Sequence, residues 1–355
     1  MKKIKNYSIL SLIILFFTFC ISVRVATPVN AAQCSRAECV VEAESGRVLY
    51  SSGETLKLPI ASTTKILTAI TAIENFDINE VATVKKECVG IEGSSVYLRE
   101  GEKLTLLELL YGLMLRSGND CAETIASNFC KREEFISLMN KTAKKVGATD
   151  SNFTNPHGLP DDNHYSTALD LAKITAYAIK NETFKKVVSA KRVQISNDGF
   201  EYKRTLINKN KLLFSDPRCV GVKTGYTKKA GRCLVSAFCS GGMTIVSVVL
   251  NSPDMWQRSL EVVNSAFSTY KATTVIDADK INDSVFVSDS GKKFMLNVKD
   301  SFSYPLAAGE NDYVSVKIDG VEFNEFIKNP KTCTKLEVYL KNNLIFSSKA
   351  VSILK

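Results

Sequence analysis

The amino-acid sequence predicts an α/β (α+β) fold, in which an antiparallel sheet and a helical cluster are followed by a small all-β domain. Apolar residues recur at helical spacing in six segments, namely 62–74, 104–115, 120–129, 133–146, 167–179 and 256–270. Apolar runs bounded by turn residues predict a hairpin at 40–50 and strands at 220–222, 232–239 and 243–250. After residue 270 only short alternating runs remain, and these predict the all-β domain.

The length of 355 residues and the apolar content of 45% indicate a globular protein of two domains. We place the larger domain at 32–272 and the β-rich domain at 275–355. Residues 1–31 are interpreted as a secretory signal peptide, because a lysine-rich start precedes an uncharged apolar run at 9–23 and the small-residue site Val29-Asn30-Ala31. An uncleaved membrane anchor is the alternative for this segment.

Composition argues against several classes of function. The formal net charge of +9 is scattered, and no basic segment is interleaved with aromatic residues, so no nucleic-acid partner is expected. The ten cysteines form no C-x-x-C pair and there are only two histidines, so neither a metal nor a cofactor is expected. Cysteine pairing stays open: Cys34 with Cys39 is the favoured pair, and Cys233 and Cys239 are expected to be buried.

Three short motifs carry the functional prediction. Ser62 precedes Lys65 by one helical turn, so that a hydroxyl and an amine lie on the same helix face. Ser117-Gly118-Asn119 and Lys223-Thr224-Gly225 follow, and neither pattern occurs elsewhere in the sequence. Alone, each motif has an ordinary structural explanation as a solvated pair, a turn or the start of a strand. Together, in this order and behind a signal peptide, they favour catalysis.

A serine nucleophile needs a base, and the scarcity of histidine makes a Ser-His-Asp site a weak candidate. Lys65 can be that base if burial and a second cation, Lys223, lower its pKa. Ser117 is then a candidate proton relay between the two lysines, and Asn119 a candidate amide for a substrate carbonyl. An edge strand at Lys223-Thr224-Gly225 would let a peptide lie antiparallel against it.

These motifs resemble those of the low-molecular-mass penicillin-binding proteins, the serine-type D-alanyl-D-alanine carboxypeptidases of peptidase family S11. The resemblance rests on the segments 59–65, 93–102, 115–120, 153–168 and 221–227 and covers about 37–270. It implies a β-lactamase/transpeptidase-like catalytic domain at 32–272, whereas 275–355 resembles the family's C-terminal domain by position and type alone. His157 and His164 lie in a family-typical segment, where we expect structural hydrogen bonds.

The resemblance also implies a role for each site residue. Ser62 would attack the carbonyl of the penultimate D-alanine in a peptidoglycan pentapeptide stem, with Lys65 as general base and Ser117 as proton relay. The implied substrate-binding residues are Asn119, Lys223, Thr224, Gly225 and Tyr226. The backbone N–H groups of Ser62 and Tyr226 would form the oxyanion hole. Water would hydrolyse the acyl-enzyme, and β-lactams would acylate Ser62 stably.

Two other functions stay open. A class A-like β-lactamase shares the motifs, although its E-x-x-L-N segment is not found between Ser117 and Lys223. A non-catalytic scaffold could bind peptidoglycan through the same groove. Residues 345–355 are typical of a last strand rather than of an amphipathic membrane helix. We therefore expect a secreted, extracytoplasmic protein at the cell wall or outer membrane surface, with weak or absent membrane contact.

Overall fold

The computed structural model describes residues 35–197, 203–287, 291, 293–319 and 331–354. The expected signal peptide at 1–31 lies outside these residues, and so does Cys34. Within the described ranges, every helix is too short or too polar to cross a bilayer.

The regular elements are numbered here in chain order. The strands are β1 (Ala37–Glu42), β2 (Val48–Ser52), β3 (Val81–Thr83), β4 (Lys103–Thr105), β5 (Arg192–Ile195), β6 (Arg204–Ile207), β7 (Cys219–Thr227), β8 (Gly231–Ser240), β9 (Met243–Leu250), β10 (Tyr270–Ile276), β11 (Val285–Val287), β12 (Lys293–Asn297), β13 (Phe302–Ala307), β14 (Val314–Asp319), β15 (Lys331–Leu340) and β16 (Asn343–Leu354). The α-helices are α1 (Lys65–Asn75), α2 (Leu106–Tyr111), α3 (Asn119–Asn128), α4 (Arg132–Lys145), α5 (Ala168–Ile179), α6 (Glu182–Ser189), α7 (Leu212–Ser215), α8 (Met255–Thr269) and α9 (Ala278–Asn282). Short 3₁₀ turns lie at Ala61–Thr64, Lys86–Cys88 and Glu310–Tyr313, and a π-helical turn lies at Gly112–Arg116.

A five-stranded antiparallel sheet of order β2-β1-β9-β8-β7 is the centre of the larger domain. Helix α8 packs on one face, and α5 with the rest of the helical cluster packs on the other. Side chains of β1 alternate accordingly, since Val40 belongs to the core under α8 while Cys39 and Val41 belong to the helical core. Burial of both faces explains why the central strands are apolar throughout. The predicted fold class is confirmed.

Helix α1 is the central helix of the cluster. Its residues from Lys65 to Ala72 are all buried, and it packs against α4, α5 and the turn at Gly112–Arg116. A helix that is buried on every side needs apolar residues on every side, and Ile66, Leu67 and Ile70 supply them. Lys65, at the first position of this helix, is therefore shielded from water.

The helix predicted at 104–115 is divided in the structure. Thr105 ends β4 and caps α2, because its hydroxyl accepts from the Glu108 N–H while the Glu108 carboxylate accepts from the Thr105 N–H. Beyond α2 the helix widens into the π-helical turn and ends at Ser117. Because the apolar pattern is continuous over this segment, it indicates neither the cap at Thr105 nor the π-helical turn at Gly112–Arg116.

The segment after residue 270 forms the expected β-rich region. Its main sheet is antiparallel with the order β11-β12-β16-β15-β14, and β10 pairs with β13 beside it. The last strand, β16, confirms the strand predicted near 345–355. The elements α7, α9, β5 and β6 were not predicted, because in four or five residues neither period is distinct. Helix α6, of eight residues, was not predicted either, and only one narrow stripe of it is buried.

Arg47 joins the first hairpin to the β-rich region. The Arg47 guanidinium binds Glu310 at 2.8 Å and lies 4.9 Å and 5.3 Å from the ring centroids of Tyr270 and Tyr304. Its side chain is only 15% exposed, so these contacts are largely shielded from water.

The cysteine expectations are partly wrong. Cys39 is a fully buried thiol in β1, and burial raises its pKa to about 12. Its favoured partner, Cys34, lies outside the described residues, so that pairing stays a prediction. Cys233 is buried as expected. Cys239 is exposed, because it lies at the solvent end of the β8–β9 hairpin, with its Sγ atom 3.4 Å from the Thr244 hydroxyl.

Candidate active site

The turn that precedes α1 places Ser62 at the surface and Lys65 beneath it. Ala61 has a φ of 49°, a left-handed conformation that costs free energy for any residue with a Cβ atom. This conformation starts the 3₁₀ turn Ala61–Thr64, in which Ser62 is partly exposed while Lys65 is fully buried. The Lys65 Nζ atom lies 3.1 Å from the Ser62 Oγ atom. The predicted pairing of these two groups is therefore present.

The surroundings of Lys65 favour a neutral amine. Burial lowers its pKa to about 7, and the positive charge of Lys209 acts in the same direction. The amine donates to the Asn119 Oδ1 atom at 2.6 Å and to the His157 carbonyl oxygen at 2.7 Å. A neutral amine has two N–H groups and one lone pair. With both N–H groups donated to these acceptors, the lone pair is left for the Ser62 hydroxyl.

Two lysines lie close enough to interact with Lys65. The expected one is Lys223, whose pKa is lowered by the charge of Lys65. The other is Lys209, on the loop after β6, whose charge lowers the pKa of Lys65. Lys223 is itself buried, and burial together with the charges of Lys65 and Lys209 lowers its pKa well below the ordinary value. The Lys209 amine donates to the Ser94 hydroxyl at 3.1 Å. No motif includes Lys209, so sequence reasoning missed it.

His157 and Gly158 hold the inner side of the site. The Nδ1 atom of His157 accepts from the Leu159 N–H, so its Nε2–H group donates to Glu123 at 3.0 Å. Burial alone would raise the pKa of Glu123, but hydrogen bonds from His157 and Arg132 lower it to about 2. Burial lowers the pKa of His157, which keeps the ring neutral. This chain of contacts fixes the His157 carbonyl that faces Lys65.

His164 supports the strained turn directly. Its Nδ1 atom accepts from the Thr154 N–H, so its Nε2–H group donates to the Thr64 hydroxyl, which in turn donates to the Ala61 carbonyl oxygen. Burial lowers the pKa of His164 to about 4, so the ring is neutral at ordinary pH. These contacts agree with the structural interpretation of both histidines.

The second motif follows the π-helical turn. Ser117 adopts a left-handed conformation with a φ of 65° and is almost fully buried. Asn119 begins α3, and its side-chain amide lies between Lys65 and the Glu92 carbonyl oxygen. Its Oδ1 atom thus binds Lys65, and one of its two amide N–H groups binds Glu92. The second N–H group is left for the substrate, which we expected this amide to bind. The neighbouring Asp120 carboxylate accepts from the N–H groups of Val96 and Leu98 and so holds the segment 92–98 beside the motif.

The third motif lies on β7, at the edge of the central sheet. A Cβ atom at Gly225 would lie 3.1 Å from the Ser62 nitrogen, so only glycine lets β7 approach the nucleophile turn this closely. Lys223 is buried and donates to the Thr224 carbonyl oxygen at 3.0 Å. The side chain of Tyr226 is 65% exposed and points to solvent. All three motifs therefore converge on one site.

A partly exposed serine next to a buried lysine, bounded by an edge strand, is an arrangement that fits a serine hydrolase. The chain matches the D-alanyl-D-alanine carboxypeptidase family over residues 24–254. It is 30% identical to the D-alanyl-D-alanine carboxypeptidase DacF of Bacillus subtilis over 287 residues, which are 78% of this chain and 74% of that protein. The D-alanyl-D-alanine carboxypeptidase of a Streptomyces strain is 32% identical over 63% of this chain and 84% of its own length.

Solved structures agree with the sequence comparison. The DD-transpeptidase of Streptomyces K15 superposes with a TM-score of 0.63 at 31% identity and covers 66% of this chain and 97% of its own. A carboxypeptidase DacD from Francisella tularensis superposes with a TM-score of 0.68 over 90% of this chain and 94% of its own, and at 23% identity it supports the fold alone. The protein belongs to the D-alanyl-D-alanine carboxypeptidase family, and the predicted family and enzyme class are confirmed.

Replacement of Gly158 by alanine tests whether the inner wall is built as described. Gly158 has a φ of 86°, and a Cβ atom there would overlap the Ala61 carbonyl oxygen. We expect Gly158→Ala to lower the free energy of unfolding by about 3 kcal/mol or more, from strain and overpacking together. Urea denaturation followed by fluorescence measures this loss.

Gly147→Ala is the matched control. Gly147 has a similar φ of 76° but has open space around it, so only the backbone cost of about 1 kcal/mol is expected. Equal losses in the two variants would show that Gly158 is not in close contact with the nucleophile turn.

Proposed function

We propose that Ser62 forms an acyl-enzyme with peptidoglycan pentapeptide stems and releases their terminal D-alanine, with Lys65 as the general base. The observation that carries the proposal is the geometry at Lys65. Its amine is buried, donates to Asn119 and to the His157 carbonyl, and lies 3.1 Å from the Ser62 hydroxyl. A base of pKa about 7 is well matched to proton transfer at neutral pH.

Acylation then proceeds as one balanced exchange. The Ser62 Oγ atom bonds to the carbonyl carbon of the penultimate D-alanine while its proton passes to the Lys65 amine. The backbone N–H groups of Ser62 and Tyr226 stabilise the negative charge that develops on the carbonyl oxygen; loss of one such donor costs on the order of a hundredfold in rate. As the C–N bond breaks, Ser117 donates a proton to the leaving amine and regains one from Lys65. Water repeats the sequence on the ester and frees Ser62.

The cationic end of the site is suited to the terminal carboxylate of the substrate. Lys223 and Thr224 lie on the edge strand, and Lys209 adds a second amine nearby. A bound carboxylate would raise the pKa of Lys223 again, so substrate binding is coupled to proton uptake there. Gly225 keeps the strand flat for an antiparallel peptide. β-Lactams carry a similarly placed carboxylate and acylate the same serine.

Because peptidoglycan is a cell-wall polymer, an enzyme that acts on it works outside the cytoplasm. We propose residues 1–31 as a signal peptide, 32–272 as the catalytic domain and 275–355 as the β-rich domain of a secreted protein associated with the cell wall or the membrane surface. A class A-like β-lactamase and a non-catalytic scaffold are the competing functions. The paired Ser62 and Lys65 argue against the scaffold, and the missing E-x-x-L-N segment argues against the β-lactamase.

Release of D-alanine from an N-acylated Lys-D-Ala-D-Ala peptide tests the function. We expect release by the protein from residue 32 onward and none by Ser62→Ala, because the variant lacks the nucleophile. Covalent labelling by fluorescent penicillin, measured on the same samples, should follow the same pattern. Loss of both release and labelling would indicate a non-catalytic scaffold, and rapid turnover of the label would indicate a β-lactamase.

Asn119→Asp tests the state of the base. The variant places a carboxylate about 2.6 Å from Lys65 and should raise the pKa of that lysine by about 1–3 units. In the parent protein the rate of penicillin acylation should rise with pH around a midpoint near 7, because only the neutral amine accepts a proton. In Asn119→Asp the midpoint should move to higher pH, with acylation at pH 7 about tenfold slower or more.

Asn264→Asp provides the control for this experiment. It adds the same charge on α8, where Arg218 already donates to the side chain. Its midpoint should match that of the parent protein. An unchanged midpoint in Asn119→Asp would contradict the role of Lys65 as base.

A further inference from the structure

A cavity beside the second motif has no part in the mechanism above. It has a volume of about 530 Å³, and Val96, Tyr97, Lys203 and Arg204 contribute to its lining. Val96 also packs against the second motif of the active site. A Cβ atom built on Gly118, in that motif, would lie 3.4 Å from the Cγ1 atom of Val96. One side chain therefore separates this cavity from the residues of the second motif.

Tyr97 at the edge of the cavity is strained and exposed. Its φ is 62°, which is a rare conformation for a bulky residue, and its side chain is 83% exposed. The conformation is imposed by Asp120, which accepts from the flanking N–H groups of Val96 and Leu98, and by the Ser95 hydroxyl, which accepts from the Tyr97 N–H. Strain and exposure both oppose stability, so the fold holds this side chain outward at a cost in free energy. An aromatic side chain held in this way is available to a ligand, because aromatic side chains are effective at binding surfaces.

The described lining of the cavity is positively charged. Arg99, Lys203 and Arg204 contribute three cations. The buried Glu102 carboxylate binds Arg204 at 2.7 Å and lies 4.0 Å from Arg99, so it offsets one of the three charges. Lys203 is exposed at the opening. Such a cavity attracts a carboxylate.

We propose that this cavity is a second substrate subsite, which binds a carboxylate-bearing part of the stem peptide upstream of the cleaved bond. Tyr97 packs against the apolar atoms of that segment, and Lys203 with Arg99 faces its carboxylate. The occupant follows from position, because the segment 92–98 that carries Tyr97 is attached to Asn119 through the Asn119 N–H and the Ser94 carbonyl oxygen at 2.7 Å. In this proposal, a peptide bound at the second motif extends past this edge. The proposal rests on the proposed carboxypeptidase function.

Three substrates and two variants test the proposal. The substrates are the pentapeptide L-Ala-γ-D-Glu-L-Lys-D-Ala-D-Ala, the same peptide with the free glutamate carboxylate converted to a carboxamide, and an N-acylated Lys-D-Ala-D-Ala. Lys203→Glu should lower kcat/KM for the carboxylate peptide about two- to tenfold relative to the carboxamide peptide, and about 1 M salt should remove this difference. Tyr97→Asn keeps a residue that tolerates positive φ and should lower kcat/KM for both pentapeptides relative to the short peptide.

Lys349→Glu is the control of equal charge. It lies exposed on β16 in the β-rich region and should leave the ratios of kcat/KM among the three substrates unchanged. Equal effects of Lys203→Glu on the carboxylate and carboxamide peptides, or of Tyr97→Asn on long and short peptides, would overturn the subsite. Release of D-alanine from the short peptide by the parent protein would still support the carboxypeptidase. A parent protein that releases D-alanine from none of the substrates would reject both proposals.

Discussion

The site depends on the burial of one amine. A lysine in water is protonated at neutral pH and cannot accept the proton of a serine. The fold removes this obstacle by placing Lys65 at the start of a helix that is buried on every side, where desolvation lowers its pKa to about 7. The two acceptors at Asn119 and His157 then orient the amine so that its lone pair faces Ser62. Burial thus provides the neutral amine that the proposed base needs, and the hydrogen bonds orient its lone pair.

Three strained or glycine-dependent positions surround this amine. Ala61 and Ser117 hold positive φ angles, and Gly158 lies directly against the turn at Ala61. Such conformations persist only where neighbouring contacts enforce them. The chain from Thr154 through His164 and Thr64 to Ala61 is one such set of contacts. The family-typical segment with its two histidines is therefore a support for the nucleophile turn, which is a structural role with a catalytic consequence.

The sequence was sufficient to predict the parts of this site that are local. The spacing of Ser62 and Lys65 fixes one helical turn, and the apolar runs of β8 and β9 fix buried strands, so both were predicted correctly. Contacts between distant segments could not be predicted. Lys209 belongs to no motif, and its effect on Lys65 depends on the loop after β6 approaching α1 in space. The same holds for the bond between Lys65 and Asn119, which are 54 residues apart. Cys239 was assigned to the core from its apolar neighbours, but burial at a hairpin end is decided by what packs over it.

The protonation state of Lys65 is the central claim, and NMR can measure it without any substrate. Lysine labelled with ¹³C at the ε position gives one signal for each residue, and the Lys65→Met variant identifies the signal of Lys65 by its loss. We expect that signal to titrate with a midpoint near pH 7, whereas exposed lysines titrate near 10.4. A midpoint near 10 would show that the amine is charged at neutral pH, and would contradict the account of Lys65 as the base that activates Ser62.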